Sequence, residues 1–290
     1  MNDPLLTVLL PCCNGGTTLG LALHSILSQT FVDFELIFLN DGSTDDSVET
    51  ALSFHDPRIR IMGGPERCGL PKRLNQGIAN ARGQFIARMD ADDISFPQRF
   101  EKQVAYLQAH PEVDLLGCRA VVFRNSGEII GVLPFAPTHE RLCAQLWRNI
   151  PLPHPSWMGR RSWFQRHQYR LPEVRRAEDQ ELLLRSCKDS RYACLDDVLL
   201  AYRQGQFQLP RTLVARRALL LAQLGLFFEW REWRNAALAL VSAVAKISVD
   251  CLCTLPGLQN LFFARMGGSV SEAIQQQLAH SLAEYSARRP

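Results

Sequence analysis

The sequence predicts an α/β protein, a mostly parallel sheet flanked by helices, with a C-terminal helical extension. Three observations predict it. Up to about residue 135, short apolar runs alternate with helical segments. Three of the early runs or their ends carry polar clusters, at Pro11–Asn14, Asn40–Asp45 and Asp90–Asp93. Beyond Pro210 the chain reads as helix almost throughout. Strand, helix, strand, helix in this rhythm implies βαβ crossovers and strands covered on both faces.

Leu5–Leu10 reads as a buried strand, and Thr17–Gln29 as a helix with Leu19, Leu23, Ile26 and Leu27 on one face. Phe34–Leu39 and Arg58–Met62 read as the next strands. Pro71 stands where a first-turn proline belongs, so a helix runs from there to about Arg82. Gln84–Met89 is a fourth strand, and Pro97 opens a helix to about Ala109. The rhythm then changes. Val113–Gly117 and Ala120–Arg124 read as two strands, and Asn125-Ser126-Gly127 turns into Glu128–Leu133 as an antiparallel hairpin. Five prolines from Pro134 to Pro155 mark loops around one helix, a region expected to cover a site rather than build the sheet. Ala177–Cys187 is a helix and Asp197–Tyr202 a last strand, followed by helices over Arg211–Trp230, Arg231–Leu255 and Val270–Arg289.

Composition narrows the class. The 290 residues are 47% hydrophobic, ample for a core, and 32 basic against 29 acidic residues leave +3, too mild for a dedicated nucleic-acid binder. Nine cysteines include no pair of CxxC motifs, so reduced, packed thiols and a cytoplasmic setting are expected. Leu5–Leu10 follows Asp3 and stops at Pro11, unlike a signal peptide. No run reaches the eighteen or so uncharged apolar residues of a membrane span. The nearest, Ala236 to Phe263, is interrupted by Lys246, Asp250 and Pro256.

Ligands of parallel sheets bind outside the carboxyl ends of the strands, where the three polar clusters fall. Each alone could be turn chemistry. Together they make a rim of acceptors with few positive charges, which favours a metal-bridged ligand over a directly bound phosphate. In Asp90-Ala91-Asp92 the chain turns at a strand end, so two carboxylates can converge as hard oxygen ligands for Mg²⁺ or Mn²⁺. Asp93 is expected to cap the following helix.

The set resembles the start of a family 2 glycosyltransferase. The carrying residues are Leu6-Thr7-Val8-Leu9-Leu10-Pro11-Cys12-Cys13-Asn14, Ser25–Phe31, Phe34–Asp45, Leu74–Ala79 and Gly83–Asp93, in order, with the resemblance running over about residues 5–205. It implies the GT-A fold, a Rossmann-like nucleotide-sugar domain. It also implies a nucleotide-diphosphate donor, most often a UDP-sugar, a divalent Mn²⁺ or Mg²⁺ at the DxD, and inverting transfer of a hexose-type sugar. By the same similarity residues 1–209 are the catalytic domain, with 1–112 binding nucleotide-sugar and 113–209 facing the acceptor, and 210–290 are a helical C-terminal region.

Residue by residue, the similarity sets Asp41 against the nucleobase, with Pro11, Cys13 and Asn14 beside it; Cys13 stands where an aromatic is usual. Asp90 becomes the ribose- or sugar-side carboxylate, Asp92 the metal ligand, and Arg73 lies near the segment covering the nucleotide. In Ala177-Glu178-Asp179-Gln180-Glu181-Leu182 an acidic pair opens a helix, where the dipole stabilises the anion. Asp179 is the expected catalytic base, and Glu178 orients it or binds acceptor. His154 is expected near the acceptor. Tyr202-Arg203 matches another family element, but Gln204-Gly205-Gln206 follow where a histidine is common.

Two readings of the tail stay open. Arginines 211, 216, 217, 231 and 234 flank Phe227, Phe228, Trp230 and Trp233, which suits an anionic membrane surface. The same helices could pack on the catalytic part. The lipid-linked and envelope acceptors common in the resembled family favour membrane contact, and with it a place at the inner face of the cell membrane. The alternative to catalysis is a sugar-nucleotide-binding or assembly module, which the acidic residues Asp92 and Asp179 argue against. A nucleotidyltransferase ranks last, for Pro11–Gly16 carries no Lys or Arg.

Overall fold

The computed structural model describes residues 3–171, 176–255, 257–258, 266 and 270–288. Residues 172–175, ahead of the expected helix Ala177–Cys187, and Arg289 of the last expected helix lie outside them. The amino-terminal half is β1 (Leu6–Cys12), α1 (Leu19–Leu27), β2 (Phe34–Asp41), α2 (Ser47–Ser53), β3 (Ile59–Gly64), α3 (Leu70–Asn80), β4 (Phe85–Arg88), β5 (Ile94–Ser95) and α4 (Arg99–Ala109). The second half is β6 (Leu115–Phe123), β7 (Ile129–Val132), α5 (His139–Leu142), β8 (Met158–Arg160), α6 (Arg161–Arg166), α7 (Glu178–Ser186), β9 (Tyr192–Arg203), α8 (Leu209–Glu229), α9 (Trp233–Leu252) and α10 (Glu272–Arg288).

One sheet runs β3-β2-β1-β4-β8-β6-β9-β5, with β7 paired to β6. The first four strands are parallel to one another. Alternate residues of β1 serve opposite faces, as a strand requires. Leu6, Val8 and Leu10 pack with Leu19, Leu23 and Ile26 of α1 and Phe100, Val104 and Leu107 of α4. Leu9 packs with Leu74 and Ile78 of α3, and Leu182 and Leu183 of α7 share that cluster. With helices on both faces, β1 and β2 are buried at every residue.

Four details differ from the sequence reading. Leu115–Phe123 is one strand, because its pairing with β9 continues through an irregularity at Cys118–Ala120. The last strand begins at Tyr192 and runs parallel to β6, its polar middle lying over an exposed stretch. The proline-marked region does build the sheet: β8 enters between β4 and β6, antiparallel to both, led in by a 3₁₀ turn at His154–Ser156. Its three residues were too few to carry a strand pattern. Helix α2, with Ser47 and Ala51 buried, had no apolar periodicity to announce it.

The tail packs in two places. Leu226 and Phe227 of α8, with Ala236 and Ala239 of α9, meet Leu184 of α7. Leu278 of α10 is 2% exposed in a cluster with Leu21, Phe96 and Phe123. By length and composition α9 could cross a membrane, although Lys246 and Asp250 stand within it.

Candidate active site

The carboxyl ends of β1, β2, β3 and β4 share one edge of the sheet. Cys12 is in register with Asn40, Asp41 with Gly64, and Leu9 with Arg88. Strand β1 lies between β2 and β4, so the topology reverses between β1 and β4, where a crevice opens. The rim loops are tied together. The Asn14 side-chain oxygen accepts the Thr44 N–H at 2.8 Å, Gly15 N donates to Ser47 Oγ at 2.9 Å, and Gly16 N to Asp45 at 2.9 Å. Thr18 Oγ1 donates to the Ala91 carbonyl at 3.2 Å, joining the β1 loop to the acidic turn. Asn14 thus uses its side-chain oxygen on the loop, while Pro11 is buried in β1 and Cys13 is half-buried at its end.

Asp41 is buried at the end of β2. Its carboxylate accepts N–H bonds from Cys68 at 2.7 Å and Gly69 at 3.0 Å, and from Arg73 Nε at 3.2 Å. Gly69 has φ of +89°, a conformation that a side chain would strain. Burial alone would raise the Asp41 carboxyl, but these donors outweigh it and hold it below the ordinary value. Arg73 is buried too, donating to the Glu66 carbonyl at 2.5 Å and to Gln76 at 2.9 Å. The Asp41–Arg73 pair therefore holds segment 64–69 across this end of the crevice.

Arg88, at the end of β4, grips Asp90 through both terminal guanidinium nitrogens, at 2.6 and 2.5 Å. Asp92 opens to the cleft, yet desolvation, then the charge of Asp90, pushes its carboxyl up to about 6. Asp93 is 1% exposed and does not cap a helix; α4 starts at Arg99, beyond Gln98. One Asp93 oxygen accepts the Arg203 backbone N–H at 2.8 Å, and the other has no hydrogen-bond partner among the described residues. Burial, then Asp90 and Asp92, raise Asp93 well above the carboxylate range. The rim is not poor in positive charge either. Arg73, Arg88 and Arg203 stand on it, with Arg203 Nε donating to the Asp92 carbonyl at 2.6 Å. These arginines come from outside the three polar clusters and are brought there by the sheet.

The same acidic turn fits a hard divalent cation. Asp90, Asp92 and Asp93 each offer an oxygen within 4.8 Å of the others, and the buried Asp93 oxygen without a hydrogen bond among the described residues is a suitable metal ligand.

Across the crevice, the chain enters α7 through two left-handed residues, Arg176 at φ 97° and Ala177 at φ 61°. Glu178 and Asp179 follow at once, in the first turn. Desolvation, then Asp179, pushes Glu178 up to about 7. Asp179 is raised as well, chiefly by burial, while the Gln180 N–H and the charge of Arg88 pull it back. Gln180 braces the turn by exchanging hydrogen bonds with Ile150 N and O, at 3.0 and 3.1 Å. His154 is buried, its Nε2 2.7 Å from the Tyr169 hydroxyl, and burial followed by Arg88 drives its pKa well down, so it is neutral. The Tyr169 backbone is clasped by Asn75 of α3 through two bonds of 2.8 and 3.0 Å. Arg88, Asp90, Tyr169, Glu178 and Asp179 are near enough to act on one another electrostatically.

The model of the family described as glycosyl transferase family 2 matches residues 7–168, more than half of the chain. The chain belongs to that family. Among relatives, EpsE of Bacillus subtilis, named as a glycosyltransferase, is 34% identical over 191 residues, covering 63% of this chain and 67% of EpsE. The β-1,3-glucosyltransferase WfgD of Escherichia coli, whose name gives UDP-Glc and α-D-GlcNAc-diphosphoundecaprenol, is 29% identical over 144 residues, covering 49% of this chain and 56% of WfgD. Among solved structures, S. aureus TarS 1–349 in complex with UDP-GlcNAc superposes with a TM-score of 0.59 at 16% identity, over 100% of this chain and 82% of that one. The mannosyltransferase PcManGT from Pyrobaculum calidifontis, in complex with GDP-Man and Mn²⁺, gives 0.61 at 14% identity, over 100% and 89%. The fold is of the GT-A type.

This family 2 glycosyltransferase thus brings Asp90, Asp92, Glu178 and Asp179 around one crevice, with Asp41 and Arg73 at its β2–β3 end. Sequence reasoning missed Arg88, Tyr169 and Asn75, and left Arg203 without a task. An arginine ending the otherwise apolar run Phe85–Ala87 was the available signal for Arg88. Nothing in the sequence around Tyr169 pointed to its partners 15 and 94 residues away.

Proposed function

We propose that this glycosyltransferase moves a hexose-type sugar from a UDP-sugar to an acceptor hydroxyl, with inversion, in the synthesis of a cell-envelope polysaccharide or glycolipid. The facing of two carboxyl groups of α7 toward the acidic turn of β4 carries this reading. Residues 1–209 act as the catalytic domain, nucleotide-sugar on 1–112 and acceptor on 113–209, and 210–290 form a helical region touching the inner face of the cell membrane. WfgD's named lipid-linked acceptor supports the envelope assignment.

Asp41 binds the nucleobase: its Oδ2, which accepts the Gly69 N–H, also takes a ring N–H, beside the wall made by Pro11, Cys13 and Asn14. Arg73 keeps the covering segment in place. Asp90 takes a ribose or sugar hydroxyl. Mn²⁺ or Mg²⁺ held by Asp92, with Asp90 and Asp93 beside it, supplies positive charge against the diphosphate when bound. Asp179 accepts the proton of the acceptor hydroxyl as that oxygen bonds to the anomeric carbon and the bond to the diphosphate oxygen breaks on the opposite side. Glu178 orients Asp179 or binds the acceptor. Arg203 stands where its charge can meet the departing diphosphate, in place of the absent histidine. His154, neutral and bonded to Tyr169, shapes the acceptor side.

Calorimetric titration with UDP-, GDP- and dTDP-sugars, each with and without Mn²⁺, followed by product analysis of the anomeric configuration, tests the reading. Metal-dependent binding of a UDP-sugar and an inverted product are expected. Absence of any nucleotide-sugar binding would sink it.

A further inference from the structure

Among the described residues, eleven of the fourteen exposed large hydrophobic side chains lie between Val214 and Leu258. Helix α9 is turned inside out. Its buried face is Ala236, Ala239 and Ala243, closed by Asp250, whereas Trp233, Leu240, Val241, Val244, Val249 and Leu252 face outward. Val241 and Val244 are 67% and 66% exposed. Helix α8 continues the apolar surface with Val214, Leu221 and Phe228, and the Phe228 and Trp233 rings meet at the turn between the helices, 5.6 Å apart. A helix whose bulky side chains face away from its own protein has another medium or partner for them.

Charge selects the partner. Arg211, Arg217, Arg231 and Arg234 are exposed along or beside this face, while Glu229 is its exposed acid. The other acids of the pair are engaged: Asp250, 2% exposed, with Arg216 at 2.9 Å and Glu232 with Lys188 at 2.8 Å. Exposed cations flanking an apolar face, with aromatics at its end, suit the headgroup layer of an anionic bilayer. A second copy fits less well, because two-fold pairing lays the patch on itself, and four exposed arginines find one exposed acid there. Crossing the bilayer fits less well again. It would pull Asp250 from Arg216 on α8 and Lys246 from the Arg148 carbonyl, 2.6 Å away.

We propose that α8 and α9 lie along the surface of an anionic membrane, their outward face in the interface, without crossing it. Because α8 packs directly on α7, this attachment holds the helix carrying Glu178 and Asp179 close to the bilayer. The proposal deepens the envelope reading by naming the surface and its orientation, and its test needs neither donor nor acceptor.

The full chain is floated with vesicles of phosphatidylcholine and phosphatidylglycerol at 7:3, and with phosphatidylcholine alone, over a salt series. Binding to the anionic vesicles, weakened by salt and by the neutral lipid, is expected. Val241→Glu with Val244→Glu lowers vesicle affinity at least about tenfold, since both side chains leave water only on the membrane. Arg231→Glu with Arg234→Glu lowers it by a similar factor, about tenfold or more, through charge. Nucleotide-sugar binding without vesicles stays as in the native chain for both variants, which separates this proposal from the transferase reading. The proposal is overturned if the native chain fails to float, or if both double variants float as it does. A dimer in free solution that Val241→Glu with Val244→Glu dissociates, with no vesicle binding, overturns it in favour of a second copy. Resistance to alkaline carbonate extraction from vesicles overturns it in favour of a crossing helix.

Discussion

Arg88 and Asp90 form a bidentate ion pair across two residues of one strand end, with the guanidinium 4% and the carboxylate 30% exposed. Arg88 ends β4 and Asp90 stands two residues on, just past the strand, close enough for its charge to raise Glu178. The charge of the arginine lowers both Glu178 and Asp179. Among the described residues its Nε meets no hydrogen-bond partner.

Arg88→Met should therefore weaken turnover and move the acidic limb of the kcat/KM profile to higher pH, because the α7 carboxyls lose a stabilising charge. Arg88→Lys keeps the charge without the fork. It should leave the limb near its native position while still losing rate. A pH profile of the three proteins checks this, and an unmoved limb in Arg88→Met removes the arginine from any role in setting the base.

Asp92→Ala should abolish the dependence of donor binding on Mn²⁺ or Mg²⁺ and remove most turnover. Calorimetry with the donor, with and without metal, measures it. Native activity in this variant would show that the acidic turn holds no essential ion.

General-base loss costs on the order of 10²–10⁴-fold in rate. Asp179→Asn should fall in that range with donor affinity little changed. If Glu178→Gln is dead and Asp179→Asn active, the base is Glu178, and if both turn over normally the proton goes elsewhere. A transfer assay beside donor titrations separates these results.

The pH dependence of stability has a definite sign. Glu178 sits at about 7 in the fold against 4.5 ordinarily, so between those values the folded chain holds a proton the unfolded chain has lost. Stability therefore falls as pH rises through that window, and the cost is complete above it. Glu178→Gln removes the cost, gaining about 1–3 kcal/mol at pH 8 and little at pH 5. Denaturant melts at the two pH values test it; an equal gain at both would contradict the shift.

Leu278 of α10 is buried against Leu21, Phe96 and Phe123. Leu278→Ala should cost about 2–5 kcal/mol, as a core leucine does. Denaturant unfolding measures it. An effect below about 0.5 kcal/mol, the size of a surface change, would mean that α10 is not part of the core.

The parallel half of the fold was legible because β1, β2 and β4 are buried on both faces and so read as mainly apolar runs, from Leu6–Leu10 to Phe85–Ala87. The acidic turn at Asp90–Asp92 and the acidic opening of α7 were legible for a related reason: each is a short contiguous motif beside a clear element. β8 and α2 were not, since three residues or a polar, shallow helix carry too little pattern.

Sequence alone determined the α/β alternation, the edge at which the polar clusters fall and the places of the acidic motifs, all properties of neighbours in the chain. Only the tertiary structure decided what surrounds those carboxylates. Arg203 meets Asp93 across 110 residues and Tyr169 meets Asn75 across 94. It also decided that α10 enters the core while the bulky side of α9 faces out, although both are apolar helices in the sequence. Burial, hydrogen bonding and charge act through space, and one-dimensional spacing records them only where the partners are also neighbours along the chain.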